Sequence, residues 1–405
     1  MSTTDTAPPA VALVARRARV AVAVLFFTNG ALFANLLPRY PEIKASLRLS
    51  NAAFGAAVAA YPLGALVAGL SAGLLIRRFG SAKVAIGATV LAAAGFVAAG
   101  AAPVWAALAA GLFLAGAMDA ITDVAQNSHG LQVQRLYGKS ILNSFHAVWS
   151  MGAVLGGFMG AGLATLGLST TVHMLVSAVV FSTAAALSYR WLLAGPEVEE
   201  APVLAPEEPH LQRGLRLNRY GILLALVVIA ASGAIVEDAG SSWAAIYLSG
   251  SLAAGTFVAS LGFISLQGLQ FVGRLVGDPM VDRFGQQAVA RTGGVVVLVG
   301  MGAALAFPSV VAGIAGFGLA GLGIATLIPA AMHGADQIPG LAPGTGLTVV
   351  GWLLRLGFLA SPPLVGAVAD ATSLRVGLLI VPLAGVLVVL FAGVLSTERR
   401  VASAI

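Results

Sequence analysis

VGLLIVPLAGVLVVLFAGVL, residues 376–395, runs for twenty positions without a charged side chain. At about 1.5 Å per residue, such a run crosses the ~30 Å hydrocarbon core of a bilayer as a single helix. A helix on the surface of a soluble domain would carry a polar face, and this one has none. Upstream of it, the same reading gives spans near 18–38, 51–76, 84–101, 104–131, 141–166 and 170–193. A second set follows near 219–248, 253–277, 287–306, 308–333 and 344–369, closed by 374–395. Composition agrees, with 59% hydrophobic and only 9% charged residues. A soluble domain has about 25% charged residues, so this chain lacks the polar surface to face water. The expected fold is all-α: a polytopic membrane protein of twelve transmembrane helices in two pseudo-symmetric six-helix halves.

The segments between the spans set the domain plan. Residues 1–17 read as a disordered cytoplasmic leader, with nothing before Arg16 resembling a cleavable signal peptide. The first half covers 18–193 and the second 219–395. Between them, 194–218 is rich in proline and glutamate and reads as a solvated linker. Residues 396–405 form a tail. Seventeen of the 22 Lys and Arg fall on the side of the termini, while Arg39, Lys44, Arg48 and Arg375 fall opposite and Arg355 lies within a span. This asymmetry predicts cytoplasmic termini and an even number of spans in a bacterial inner membrane. The net charge of +6 is thereby assigned to loops, not to a nucleic-acid partner. The cluster Arg39–Arg48 is expected to be a short structured segment, bracketed at its start by Pro38 and Pro41.

The halves echo one another. Arg78-Phe79-Gly80 recurs as Arg283-Phe284-Gly285, and Leu114-Ala115-Gly116 as Leu319-Ala320-Gly321, both 205 positions on. Six spans repeated once, with a site between the repeats at mid-membrane, is an arrangement of secondary transporters. On these residues the chain resembles the major facilitator superfamily along nearly its whole length. Val281-Asp282-Arg283-Phe284-Gly285 fits that superfamily's loop signature, while Arg77 stands where the first half would carry the acid. The resemblance implies a cytoplasmic gate involving Arg78 and Arg283, with Asp278 and Asp282 as its acids, the latter near the start of helix 5 and Lys139. Phe26-Phe27-Thr28-Asn29-Gly30, Asp123-Val124-Ala125-Gln126-Asn127 and Asn143 to Ser150 resemble the fucose-permease-type symporters and a bacterial branch beside them. Glu237-Asp238-Ala239-Gly240-Ser241-Ser242-Trp243 resembles that branch too. The acid those permeases carry in helix 1 is absent from Phe33-Ala34-Asn35-Leu36-Leu37-Pro38.

Charges inside spans are costly, and mark a permeation path, a partner or a cavity. Asp119 and Asp123 share a face of helix 4, with Asp123 about 28 Å from its outer start. Helix 5 brings Asn143, His146 and Trp149 to a similar depth. An acid beside a titratable imidazole is suited to proton coupling, so Asp123, Asp119, His146 and Glu237 are the candidates, Asp123 first. The alternative for each acid is a bond to a neighbouring helix. The resemblance also points to Asp123, since a helix-4 acid four residues before an Asn (here Asn127) matches the permease pattern. Arg355, near the midplane, is expected either to pair with an acid of helix 7 or to meet an anionic solute. Asn29, Asn127, Asn143, Trp149, Gln267, Trp352 and Arg355 are candidate solute contacts. His173 and His333 are expected to be solvated.

No cofactor is expected. The absence of cysteine excludes disulfides and thiolate metal sites, and no metal-ligand cluster or nucleophile–base pair stands out. Glycine-rich runs such as Gly316 to Gly323 lack the Lys-Ser/Thr of a phosphate loop. The partners expected are a small-molecule solute, protons and the lipid membrane, with no nucleic acid, for a monomeric chain. The function read is secondary transport by alternating access, proton-coupled, of a small polar solute such as a sugar or related metabolite. A proton-driven drug or metabolite exporter is the alternative. A membrane enzyme or sensor would need an extramembrane domain that the spans leave no room for.

Overall fold

A computed structural model describes residues 9–137, 141–193, 213–338, 341, 342 and 344–395. The described residues form helices and turns, with no strand among them. Among the described residues, twelve helices are long and apolar enough to span a membrane. They are α1 (Leu13–Ser46), α2 (Asn51–Gly69), α3 (Ser81–Gly100), α4 (Trp105–Tyr137), α5 (Ser144–Thr165) and α6 (Thr170–Trp191), then α7 (Arg219–Ser251), α8 (Thr256–Phe284), α9 (Gln286–Ala306), α10 (Val310–Asp336), α11 (Thr345–Ala371) and α12 (Leu374–Val394). Residues 9–17, read from the sequence as part of the leader, already belong to the helix Pro9–Leu36. Of the linker read as 194–218, residues 194–212 lie outside the described residues, as does the tail from 396, while 213–218 already belong to the helix Arg213–Ile246.

Four spans expected to be continuous, or to end at a loop, are broken or prolonged, and one physical cause covers all four. A proline has no N–H for the carbonyl four residues back, and its ring crowds that carbonyl. α2 divides into Asn51–Val58 and Ala60–Gly69, with Pro62 three residues past the break. α10 divides into Val310–Ile324 and Leu327–Asp336, ahead of Pro329, and α12 into Leu374–Gly377 and Ile380–Phe391, ahead of Pro382. α1 tightens to a 3-10 turn at Leu37–Arg39 and resumes as Tyr40–Ser46, ahead of Pro41. The Arg39–Arg48 region is thus helical for most of its length.

By contacts the chain forms two units, residues 1–39 with 60–199, and residues 40–59 with 200–405. In the first, α4 packs against α3 and the Ala60–Gly69 piece of α2, and α1 against α5 and α6. In the second, α10 packs against α8 and α9, and α7 against α11 and α12. The pairing scheme is the same six helices later. Detail repeats as well. Gly80 and Gly285 share a positive φ (82° and 83°), and the preceding arginines, Arg78 and Arg283, lie over the Phe79 and Phe284 rings. A Cβ on Gly116 would run into the Tyr61 carbonyl, and one on Gly321 into the Leu266 carbonyl, again 205 positions on. Large apolar side chains such as Val179, Val299, Val311 and Leu390 lie exposed, as a lipid-facing surface requires.

Candidate functional site

In the first unit the polar centre is built on Asn29 of α1. The Trp149 indole Nε1–H of α5 donates to Asn29 Oδ1 at 2.6 Å, and Asn29 Nδ2 donates to Asp119 Oδ1 of α4 at 2.6 Å. An indole nitrogen can only donate, so this contact fixes which end of the Asn29 amide faces which partner. Tyr61, from the Ala60–Gly69 piece of α2, adds a hydroxyl contact to Asp119. Neutral groups of α1 and α2 therefore reach one carboxyl of α4, with α5 joined to it through Asn29. A hydroxyl can donate to a carboxylate or accept from the protonated acid, so the network accommodates both states of Asp119.

Asp123, one turn further along α4, is arranged differently. Its side chain is exposed, not buried as its depth in the span suggested, and it accepts from Asn127 Nδ2 at 2.9 Å and more loosely from Gln126 Nε2 at 3.5 Å. Asn127 also bonds the Asp123 carbonyl at 2.8 Å. These two amides lie on the same helix as the acid. The His146 ring sits edge-on to Phe26 at 5.2 Å and is largely exposed. The side chain of Asn143 lies outside those described.

In the second unit, Gln270 Nε2 of α8 donates to Glu237 Oε2 of α7 at 3.0 Å. One turn away on α8, Gln267 is 1% exposed and neither of its amide atoms has a hydrogen-bond partner. The Trp243 Nε1, the Tyr247 hydroxyl and Gln270 Oε1 are likewise buried and unpartnered. Buried polar atoms are normally bonded, and an unpartnered one costs about 1–3 kcal/mol, so their concentration on α7 and α8 marks the polar centre of this unit. Asp238 is bonded by the hydroxyls of Ser242 and Ser361.

The expected ion pair between Arg355 and an α7 acid is not formed. Arg355 is half-buried and makes no hydrogen bond or ion pair among the described residues. The reason is register. α11 meets α7 where Gly357 approaches Ala231 and Ala234, and Ser361 reaches the Ile235 carbonyl. Arg355 and Glu237 are consequently offset by roughly 10 Å along nearly parallel axes. Trp352, three residues from Arg355, is exposed. Asp278, Asp282, Arg78 and Arg283 are all exposed. The two acids make no bond among the described residues, and Lys139 lies outside them.

His173 is the plainest correction. Expected to be solvated, it is 0% exposed, accepts at Nδ1 from Arg39 Nε at 3.0 Å and contacts Asn35 Oδ1 through Nε2 at 2.8 Å. Since Nδ1 accepts, Nε2 carries the hydrogen. Ser177 joins at Asn35 Oδ1, and Arg39, itself 1% exposed, also bonds the Leu168 carbonyl. His129, unremarked in the sequence, is another buried imidazole, held between Ser81 Oγ at 2.9 Å and the Leu193 backbone N–H at 3.0 Å. His333 contacts Gln337 at an exposed position. No group of three or more His, Cys, Asp or Glu able to hold a metal occurs among the described residues.

Twelve membrane-length helices, two internally repeated units and polar centres within the spans define a multi-pass membrane protein of transporter type. Residues 22–275 match the family model of the Major Facilitator Superfamily, and the chain belongs to that family. It is 30% identical over 377 residues to the uncharacterised transporter y4wD of Sinorhizobium fredii (strain NBRC 101917 / NGR234), covering 92% of this chain and 97% of that one. Its fold is similar to that of the nucleoside transporter NupG, with a TM-score of 0.72 and 13% identity over 93% of this chain and 98% of that one. It is also similar to a D-xylose–proton symporter, with a TM-score of 0.68 and 15% identity over 97% and 100%. The fold is that of transporters, not of an enzyme.

Proposed function

We propose that the protein is a monomeric secondary transporter working by alternating access, in which protons drive a small polar solute across a bacterial inner membrane, with both termini cytoplasmic. The Asp119 network carries this reading. A carboxyl inside a span, bonded only to neutral groups among the described residues, can gain or lose a proton without breaking an ion pair. Asp123, exposed one turn away on the same face, serves as the relay to water, with His146 on α5 nearby in depth. The sequence favoured Asp123 as the coupling acid; the four-helix setting of Asp119 favours Asp119.

The solute side of the reading rests on Gln267. A sugar or nucleoside hydroxyl both donates and accepts, and so satisfies both ends of that amide. Gln270, Trp243 and Glu237 offer further bonds, and Trp352 a ring to stack on. Similarity in fold to a nucleoside transporter and a D-xylose–proton symporter is in keeping with such a solute. Arg355 adds a fork for a carboxylate or phosphate on the same molecule. A thermal-shift screen of the purified full-length protein against sugars, nucleosides, carboxylates and apolar drugs tests the reading. Stabilisation by a sugar or nucleoside, lost in Gln267→Leu, is expected. Stabilisation by large apolar compounds alone would favour the exporter reading.

A further inference from the structure

Asp238 is a carboxyl inside a span with an incomplete set of partners. Ser242 Oγ, one turn on along α7, donates to its Oδ1 at 3.3 Å, where an O–H···O bond is ordinarily about 2.5–3.0 Å. Oδ2 is buried and has no partner. The Ser361 hydroxyl of α11 contacts the same carboxyl and lies 3.5 Å from the Ile235 carbonyl of α7. Both serines are buried. The charge that acts on Asp238 is a second acid, Glu237, which itself turns to Gln270 of α8. Arg355 stands six residues before Ser361, roughly 9 Å back along α11. A carboxylate held away from water in this way calls for a positive charge beside it.

The backbone of α11 adds oxygen at the same place, for a reason written in the sequence. Pro362 and Pro363 follow Ser361 inside the unbroken helix Thr345–Ala371. Neither has an N–H, so the carbonyls four residues back, those of Phe358 and Leu359, lose their helical donors. Phe358 is three residues before Ser361, so its carbonyl opens on the face of α11 that carries Ser361. The two helices are close at this level, since a Cβ on Gly357 would come within 3.0 Å of the Ala231 carbonyl of α7.

The donors gathered here are one carboxylate, two hydroxyls and two backbone carbonyls. All are hard oxygens, and together they carry a single negative charge. Transition metals prefer imidazole or thiolate, and calcium prefers several carboxylates; no such cluster occurs among the described residues. A proton would satisfy one oxygen and leave the others as they are. A monovalent metal ion satisfies them together, and carbonyls freed from a helix serve sodium in this way in membrane transporters. The close approach of α7 and α11 suits the smaller sodium better than potassium. We propose that Asp238, Ser242 and Ser361, with the Ile235 and Phe358 carbonyls, bind a sodium ion between α7 and α11. The ion is additional to the protons read at Asp119.

Sodium alone is the probe. The purified full-length protein in detergent is titrated with sodium chloride at constant pH and ionic strength, with choline chloride as the balance. Thermal unfolding and binding of radioactive sodium are read in parallel. An ion that binds only the folded chain raises the melting temperature saturably. The parent is expected to bind sodium and to be stabilised by it, with potassium at least several-fold weaker. Asp238→Asn is expected to lose both responses, and Ser361→Ala to weaken sodium binding several-fold. Absence of sodium binding in the parent would overturn the proposal, as would equal binding of potassium or sodium binding that Asp238→Asn retains. Should Asp238→Asn elute as an aggregate, Ser361→Ala decides: weaker binding supports the site. Binding unchanged in Ser361→Ala overturns it in either case. No solute or proton flux enters the test, so its result stands apart from the function proposed above.

Discussion

Gln267 is a side chain whose environment leaves its chemistry unspent. Both ends of its amide are buried without partners, so, on the function proposed, Gln267→Leu removes a liability from the unliganded protein and two bonds from the liganded one. At about 0.5–1.5 kcal/mol per bond, solute affinity should fall at least several-fold, and about tenfold or more at the upper end. The apparent Tm without solute should hold or rise, because an apolar residue of similar volume replaces unpaired polar atoms. Calorimetric titration and thermal unfolding check the two halves of the expectation; a fall in Tm with affinity intact would make Gln267 structural. Gln267, Asn29 and Asp119 were legible in the sequence because an amide or acid inside an apolar run has few reasons to be there. Tyr61 was not, since a tyrosine in a span reads as packing until its hydroxyl is located. Arg39 and His173 were misread for a related cause: one stands in a short segment between two prolines and the other at a helix start, both of which read as water-facing, whereas α1 continues through Arg39 and the two side chains bury each other. The bonding of Asp119 was beyond the sequence as well, because spacing assigns a shared face but not which neighbouring helices supply bonds.

Helix existence was readable from run length, and all twelve spans lie close to where hydrophobicity put them. The breaks in α2, α10 and α12 were also encoded, in Pro62, Pro329 and Pro382, but a proline inside a span does not announce its effect. Pro279 and Pro362 sit within unbroken helices. Whether the freed carbonyl is accommodated depends on packing, which is a tertiary matter. Close packing itself is testable. Gly116→Ala and Gly321→Ala should each destabilise by about 1–3 kcal/mol, since backbone and not a flexible side chain occupies the space. Gly87→Ala and Gly302→Ala, where a Cβ meets nothing within 4 Å, should melt like the parent or slightly higher. Thermal unfolding of the four variants compares them directly; equal melting of all four would mean that the helices stand further apart than the Tyr61 and Leu266 contacts indicate.

The repeat at 205 positions extends from sequence into geometry, through the paired glycines, the paired cation–ring contacts and the same helix pairings. Its exceptions are where function is read. Asn29, Asp119 and Trp149 correspond to Ala234, Ile324 and Leu354, and Glu237 and Gln270 correspond to Leu32 and Ala65. Each half therefore keeps the scaffold and carries polar chemistry of its own, the first the proposed proton site and the second the proposed solute site. The repeat also fixes topology, since six spans separate Arg78 from Arg283. Single cysteines at these two exposed positions should react with an impermeant maleimide from the same side of the membrane, and reaction from opposite sides would reject the span count. The central claim, that Asp119 couples protons to solute, is tested most directly in proteoliposomes enclosing a pH-sensitive dye, with a solute found by thermal shift added outside. The parent protein should move protons when the solute is added. Asp119→Asn, fixed in the form of the protonated acid, should still exchange solute across the membrane but move no protons, with Asp123→Asn reduced less. Solute-driven proton movement in Asp119→Asn equal to the parent's would contradict the account.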